Sequence, residues 1–436
     1  MAQILLISCN LREDPYPVYP LGMAMVGAAL RRAGHEAVEL DCRGAGNLVA
    51  AAKARAPDLV GLSLRNVDGQ VEAYVRLVAE LKAALDAPVV LGGSAFSLFP
   101  EALLARTGAD CGVVGEGEEA MRQIADAFDK GVRPQGVVRA VVKDFAFAGR
   151  DNVLAERYWA EGGLLGVQTK RGCPHRCAYC SYPALEGEAY RHRDPVDVVD
   201  EIEFLYRELK ADYFFFTDAV FNDADGRYLD VAAELVRRRL GVSWTAYFRP
   251  AKFTDVEVAL LRDSGLKAAE WGTDAASAAT ARGLGKGFDW ETVLDANARF
   301  AAAGVANAHF VIFGGPGEIA ATVEEGLVNL ERLGRAVVFA TVGVRVYPGT
   351  RMRDIAVGEG LLDAGNDLLE PFEYVSPSID REWLERRLLA AFAGRPEWVY
   401  PWGRDQDKLD ALRRLGHRGP GWDLLLRRRS GSRSPA

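Results

Sequence analysis

The chain has 436 residues, 49% of them apolar and 26% charged, a globular balance that excludes a disordered, collagen-like or coiled-coil protein and predicts two or three domains. The 53 Lys and Arg stand against 61 Asp and Glu, a net charge of -8, so neither nucleic acid nor an anionic membrane is an expected partner. No apolar run approaches the roughly 18 residues of a membrane span, and MAQILLISCN lacks a basic start and a cleavage site, so a cytoplasmic protein is expected.

In chain order, QILLIS (3–8) predicts a strand, the loop through Pro20 follows, and LGMAMVGAALRRAGH carries helical periodicity up to Gly34. AVEL (37–40), DLVGLSL (58–64), PVVLGG (88–93) and DCGVVGEGE (110–118) predict further strands, with helices near 46–56 and 70–85. Continuous apolar strands alternating with helices predict a doubly wound, Rossmann-like parallel sheet over residues 1–135. Loops at the carboxyl ends of its strands should converge on one ligand-binding edge. They carry Ser63, Leu64 and Arg65, then Gly92, Gly93 and Ser94, then Gly115 and Glu116, and the glycines there either admit a bulky ligand or simply turn the chain.

Residues 136–160 are weakly patterned and read as a linker. A second series follows over 161–355: LLGVQT (164–169), YFFFT (213–217), VSWTAYF (242–248), LKAAEWG (266–272), NAHFVIF (307–313) and VVFATVGVRVY (337–347). Amphipathic helices such as 196–210 and 322–334 fill the gaps, so six βα units predict a partial (β/α)6 barrel of the TIM type, whose ligands sit at the carboxyl ends of the strands. From 356 to 436 the β pattern gives way to a small helical region. Its last dozen residues are expected to be disordered and basic, and Trp383, Trp398, Trp402 and Trp422 either pack a cap onto the barrel or line a pocket.

Directly after the first barrel strand stands KRGCPHRCAYCSYP, with Cys173, Cys177 and Cys180 in C-x3-C-x2-C order. Three thiolates in so short a loop suit one inorganic cluster; a 4Fe-4S cluster held by three cysteines leaves one iron open to a substrate. Zinc is the alternative, with His175 completing a Cys3His set, although its cramped spacing is unlike the usual separated pairs. Cys9, Cys42 and Cys111 lie in or beside apolar strands and read as small buried hydrophobes.

The cysteine loop, with Tyr179 as the aromatic residue before its last cysteine, resembles that of the radical S-adenosylmethionine (radical SAM) enzymes. The resemblance implies a 4Fe-4S cluster on Cys173, Cys177 and Cys180 whose open iron holds S-adenosylmethionine. It further implies that Asp218, ending the second strand, meets the methionine amino group, with a helix N-cap role as its alternative, and that Arg249, ending the third, pairs with the methionine carboxylate or a nearby acid. Asp274, in EWGTDAAS, stands where relatives usually carry glutamate, and its shorter reach puts the implied ribose or methionine contact in doubt. VIFGGPGE with Gly314 and YPGT with Tyr347 resemble the endings that flank the adenine.

The front domain resembles the cobalamin-binding domain that precedes many such barrels, on the strength of PLGMAMVGAALRRAGHEAVELD, PDLVGLSL, VVLGGS and GVVGEGEEA. Many of those domains carry DxHxxG, whose histidine binds cobalt, whereas CNLREDPYPVYP contains none; His35 lies after the first helix, at an expected surface position. No protein histidine on cobalt is therefore expected, and Arg65 is the candidate for the lower face, with pairing to Asp68 as its alternative. The whole implies a cobalamin-dependent radical SAM methyltransferase that methylates a carbon of a small molecule or natural-product precursor, indole- or tryptophan-like ones included. Its electron donor would be a flavodoxin or ferredoxin. A radical cyclase, rearrangement or ring-contraction enzyme, or a non-catalytic cobalamin or metal sensor, are the other readings.

Overall fold

The computed structural model describes residues 1–10, 16–44, 46–140, 142, 149–401, 413 and 415–431. Strands Gln3–Ser8, Glu36–Asp41, Leu59–Ser63, Val89–Gly92, Cys111–Val114 and Gly136–Arg139 form one sheet in which every neighbouring pair is parallel. Strands such as Leu59–Ser63 are buried on both faces because helices cover both sides. The chain order reverses at Gln3–Ser8, which lies between Glu36–Asp41 and Leu59–Ser63. This switch point opens a crevice outside the carboxyl ends.

Part of the expected linker belongs to regular structure. Gly136–Arg139 adds the sixth strand, and Asn152–Gly162 is a helix capped by Asp151. Four residues are too few to show an alternation, which is why the strand was not legible. His35, expected at the surface, is 6% exposed: its Nδ1 accepts from the Ala2 N–H at 3.3 Å, and its Nε2 lies 3.1 Å from Asp126.

The second sheet runs in the order Leu165–Val167, Tyr213–Phe216, Ser243–Phe248, Leu266–Asp274, Ala306–Phe313, Val337–Val342, Trp398–Val399, again parallel throughout. Its two ends do not pair with each other, so the barrel is open. The six expected strands are joined by the two-residue strand Trp398–Val399 from the region expected to be helical; Glu373–Tyr374 there also pairs with Val344–Arg345. Helix Pro195–Leu209 shows why the outer layer forms: Asp194 caps Val196 N–H, Pro195 pre-sets the first turn, and Val198, Val199, Ile202 and Leu205 form one buried stripe. Between sheet and helices, Phe248, Phe253, Trp271 and Phe300 pack edge to face with centroids 4.9–6.5 Å apart.

Charged ties join the two domains. Arg157 meets Asp41 at 2.6 Å, Arg171 meets Glu118 at 2.6 Å, Arg345 meets Asp68 at 2.9 Å, and Arg191 binds Glu116. The carboxyl-terminal segment runs under the amino ends of the barrel strands, where Gly419 comes so close to Tyr213 that a Cβ would lie 2.9 Å from its ring. Trp422–Gly431 is a 3-10 helix, so the expected disorder of the last dozen residues does not extend over 425–431, while Trp402 and residues 432–436 lie outside the described residues. Trp383 and Trp398 pack onto the core beneath helix Arg381–Phe392, the Trp398 ring 5.0 Å from Phe392. Among the described residues no helix is long and apolar enough to cross a membrane.

Candidate active site

The cysteine loop leaves the first barrel strand through a hairpin in which Lys170–Arg171 pairs with Arg191–His192. Gly172 has φ +85°, and a Cβ there would lie 2.1 Å from the Ala189 carbonyl oxygen, so only glycine lets the loop close on its own backbone. Cys173 is buried, Cys177 and Cys180 half-buried. Burial pushes the Cys173 thiol up and Cys180 to about 11; such thiols give up their protons when metal replaces them. Burial, then the positive charges of Arg249 and Lys286, lower His175 to about 4.

The donor set fits a cluster better than a single zinc ion. Four zinc ligands sit about 3.8 Å apart, since Zn–S is about 2.3 Å. Among the described residues, the ligand atoms that gather within 4.8 Å of one another are those of His192, Asp223 and Asp225, not those of the cysteine loop. Three thiols spread more widely suit a cuboid that offers each one its own iron.

Beside Cys177 lies a group only partly foreseen from the sequence. Lys286 Nζ is 3.5 Å from Cys177 Sγ and 3.3 Å from the Tyr179 hydroxyl, and it forms an ion pair with Asp274; Tyr179 also donates to Asp274. Asp274 has φ +56°, and the register slips between Trp271 and Asp274, which re-aims its carboxylate toward the loop. Lys286 was missed because its GKG setting after a short helix has no periodic signal; its one cue is a cation between glycines after the fourth strand. Arg249 lies close enough to lower His175, its guanidinium 4.8 Å from the Phe288 ring centre.

Asp218 has a different role from the one expected. It is fully buried, and its oxygens accept from the backbone N–H of Thr169 at 2.8 Å, the N–H of Lys170 at 3.1 Å and the Thr169 hydroxyl, with Lys170 Nζ 3.5 Å away. The carboxylate straps the first barrel strand to the second and has no face turned to a ligand. Gly314, at φ +85°, donates to Glu318 Oε2 at 2.7 Å and forms a tight turn. The Tyr347 ring packs against Phe99 at 6.4 Å and under the Arg345 guanidinium at 4.9 Å, tying barrel to front domain.

Above the switch point of the first sheet is a cavity of about 390 Å³. All eight residues expected at that edge line it: Ser63, Leu64, Arg65, Gly92, Gly93, Ser94, Gly115 and Glu116. Thr217, Tyr182 and Leu185 of the barrel close its other side, so it lies between the domains near the cysteine loop. Asp68, the alternative partner for Arg65, is taken by Arg345. Among the described residues the Arg65 guanidinium makes no ion pair or hydrogen bond; its charge is felt by the phenols of Tyr16, Tyr182 and Tyr247, each raised by burial. Glu116 is spent on Arg191 and Arg171.

A B12 binding domain model matches residues 7–125, and a Radical SAM superfamily model matches residues 167–327. An uncharacterized methyltransferase of Pyrococcus horikoshii is 26% identical over 328 residues, 70% of this chain and 71% of its own. The tryptophan 2-C-methyltransferase of Streptomyces laurentii is 24% identical over 425 residues, covering 76% and 71% respectively. In fold, the chain is similar to the radical S-adenosylmethionine methyltransferase TsrM from Kitasatospora setae with cobalamin and a 4Fe-4S cluster bound. The TM-score is 0.86 at 22% identity, over 99% of this chain and 98% of that one. The cobalamin-dependent S-adenosylmethionine radical enzyme OxsB gives 0.75 at 15% identity, over 95% and 71%. The chain thus carries a B12-binding domain over residues 7–125 ahead of a radical SAM domain over residues 167–327, the barrel that opens on the three-cysteine loop.

Proposed function

We propose that the chain is a cobalamin-dependent radical SAM methyltransferase acting on a carbon of a small aromatic molecule of the indole type. The observation that carries this reading is the shared space: the sheet-edge cavity, lined by Arg65, whose guanidinium is unpaired among the described residues, is closed on the barrel side by Tyr182 and Thr217, next to the cysteine loop. When bound, the cluster supplies an open iron and an electron for S-adenosylmethionine, and cobalamin supplies a methyl carrier. The Pyrococcus horikoshii and Streptomyces laurentii relatives both bear methyltransferase names, the second that of a tryptophan 2-C-methyltransferase.

In this reading Cys173, Cys177 and Cys180 hold the cluster. Lys286 and Arg249 place positive charge beside those thiolates, and Tyr179 and Asp274 fix the Lys286 ammonium. Gly92, Gly93 and Gly115 would let main chain approach a corrin, and Arg65 would present a cation to it. The Tyr182 ring, which lines the cavity on the barrel side, would exclude water there. A one-electron donor such as a flavodoxin or ferredoxin completes the system.

The test is anaerobic reconstitution followed by incubation with S-adenosylmethionine, a low-potential reductant and L-tryptophan or a simpler indole. Expected are S-adenosylhomocysteine and a product heavier by one methylene unit, with both lost in Arg65→Ala. An isomer or oxidised product would mean cyclisation or rearrangement instead. Absence of both S-adenosylhomocysteine and 5'-deoxyadenosine would favour a sensor module.

A further inference from the structure

Strand alternation sorts the fourth barrel strand into two faces. Ala269 and Trp271 are wholly buried, and Trp271 packs against Phe248, Phe253 and Phe300 in the outer layer, so Glu270 between them faces the lumen. Its register partner on one side is Tyr247, between the outward Ala246 and Phe248, and on the other side Ala308. Tyr247 keeps 40% of its surface accessible although its strand is central and its ring meets Phe215 at 5.0 Å. By the same alternation that accessible surface faces the interior of the barrel. Trp422 rises from the carboxyl-terminal segment and closes the floor, its indole N–H donating to Glu270 Oε1 at 3.1 Å.

Glu270 is 5% exposed, and among the described residues that indole is its sole hydrogen-bond partner; no cation pairs with it. Several other enclosed carboxylates of the chain are neutralised, Glu201 by Arg150 and Arg193, Asp274 by Lys286 and Asp41 by Arg157, whereas Glu318, also without a cation, accepts from both the Gly314 N–H and the Thr322 hydroxyl. An enclosed carboxylate with one neutral donor is costly to keep unless something else supplies the positive charge. The tyrosine and tryptophan faces around it suit a cation as well as a flat ring. The charge of Glu270 is felt by the phenols of Tyr16 and Tyr247, and both also feel Arg65 at the sheet edge. Tyr16 and Tyr247 thus lie within reach of charges from both the lumen and the sheet edge.

We propose that the barrel lumen is the substrate chamber and that Glu270, on its floor, binds the ammonium group of an aromatic amine, holding the ring upward toward the sheet-edge cavity. This rests on the methyltransferase reading for what happens to the ring, but the binding itself does not require turnover. Glu270 acts here as a specificity residue. It selects for a positively charged tail, and Tyr247 and Trp422 select for a planar body.

Equilibrium dialysis of the cobalamin- and cluster-loaded enzyme with tryptamine and with 3-ethylindole, the same ring and two-carbon chain without the amino group, tests this. Tryptamine is expected to bind about tenfold or more tightly than 3-ethylindole, and Glu270→Gln to remove that preference while leaving 3-ethylindole unchanged. Tyr247→Ala should weaken both probes alike and keep the preference. Equal binding of the two probes to the parent enzyme, or a Glu270→Gln variant that keeps the preference, overturns the proposal. So does a variant that loses both probes together while retaining its cobalamin, because that marks a structural role. A chain that prefers tryptamine yet makes no S-adenosylhomocysteine refutes the methyltransferase reading alone; one that methylates indoles without an ammonium preference refutes this proposal alone.

Discussion

The cavity on the first sheet is walled largely by main chain, through Gly92, Gly93, Ser94 and Gly115, whereas the barrel lumen is walled by large side chains, Phe215, Tyr247, Glu270 and Trp422. A wall of main chain yields space and hydrogen-bonding groups without choosing a sign of charge, which suits a large cofactor. A wall of side chains with one unneutralised carboxylate chooses both shape and charge, which suits a substrate. Between them lies the cysteine loop, with Lys286 and Arg249 beside it.

Removing the loop should erase the contrast altogether. Serine at Cys173, Cys177 or Cys180 is expected to abolish cluster assembly and to cut turnover by more than about a thousandfold, read as iron and sulfide content together with S-adenosylhomocysteine formation. Turnover that survives the change would deny the loop its role. Next in size is Lys286→Met, which strands the Asp274 carboxylate, a group with little exposure. A loss of about 3–5 kcal/mol in stability is expected. Adding Asp274→Leu to the same chain should restore much of it, because the cost lies in the unpaired charge; a double variant no better than the single one would argue for lost packing.

The lumen carboxylate gives a pH signature. Burial raises Glu270 from 4.5 to about 7, opposed by the Trp422 hydrogen bond. Between those values the folded chain holds a proton that the unfolded chain has released, so stability falls as pH rises through that window and the loss is complete above pH 7. Its size is on the order of 3 kcal/mol. Ligand-free Glu270→Gln has no such proton, so its urea-unfolding free energy should gain on the parent chain between pH 5 and pH 8. Parallel pH curves for the two proteins would show that Glu270 is solvated after all.

The two chambers also differ in what the sequence revealed. The sheet edge was legible because glycines directly after apolar strands mark turns at a known end of a known fold, and Ser63–Arg65, Gly92–Ser94 and Gly115–Glu116 all fall on one cavity. The lumen was not. Glu270 sits in LKAAEWG as a single polar residue in an apolar strand, and its partner Trp422 is 152 residues away, a distance no local pattern spans. Asp218 misled for the same reason: its position at a strand end was right, but the Thr169 and Lys170 groups that consume it belong to another strand. Cysteine spacing is local, so the loop was legible as one unit, whereas Lys286 joins it only through folding.

At the sheet edge, adjacent glycines separate what the fold needs from what a ligand needs. Gly93 has φ +85°, and a Cβ would lie 2.5 Å from the Leu64 carbonyl oxygen, so Gly93→Ala is expected to cost about 1–3 kcal/mol of stability whatever is bound. Gly92 has an extended backbone at φ -158° that any residue adopts, and a Cβ there meets nothing within 4 Å. Gly92→Ala should leave stability within about 0.5 kcal/mol of the parent. Since Gly92 lines the cavity, the added methyl occupies ligand space, and cobalamin affinity should fall several-fold, measured by corrin retention on desalting and by titration of the free protein. Unaltered affinity would mean that the corrin does not approach this strand end, and that the glycine is there only because nothing excludes it.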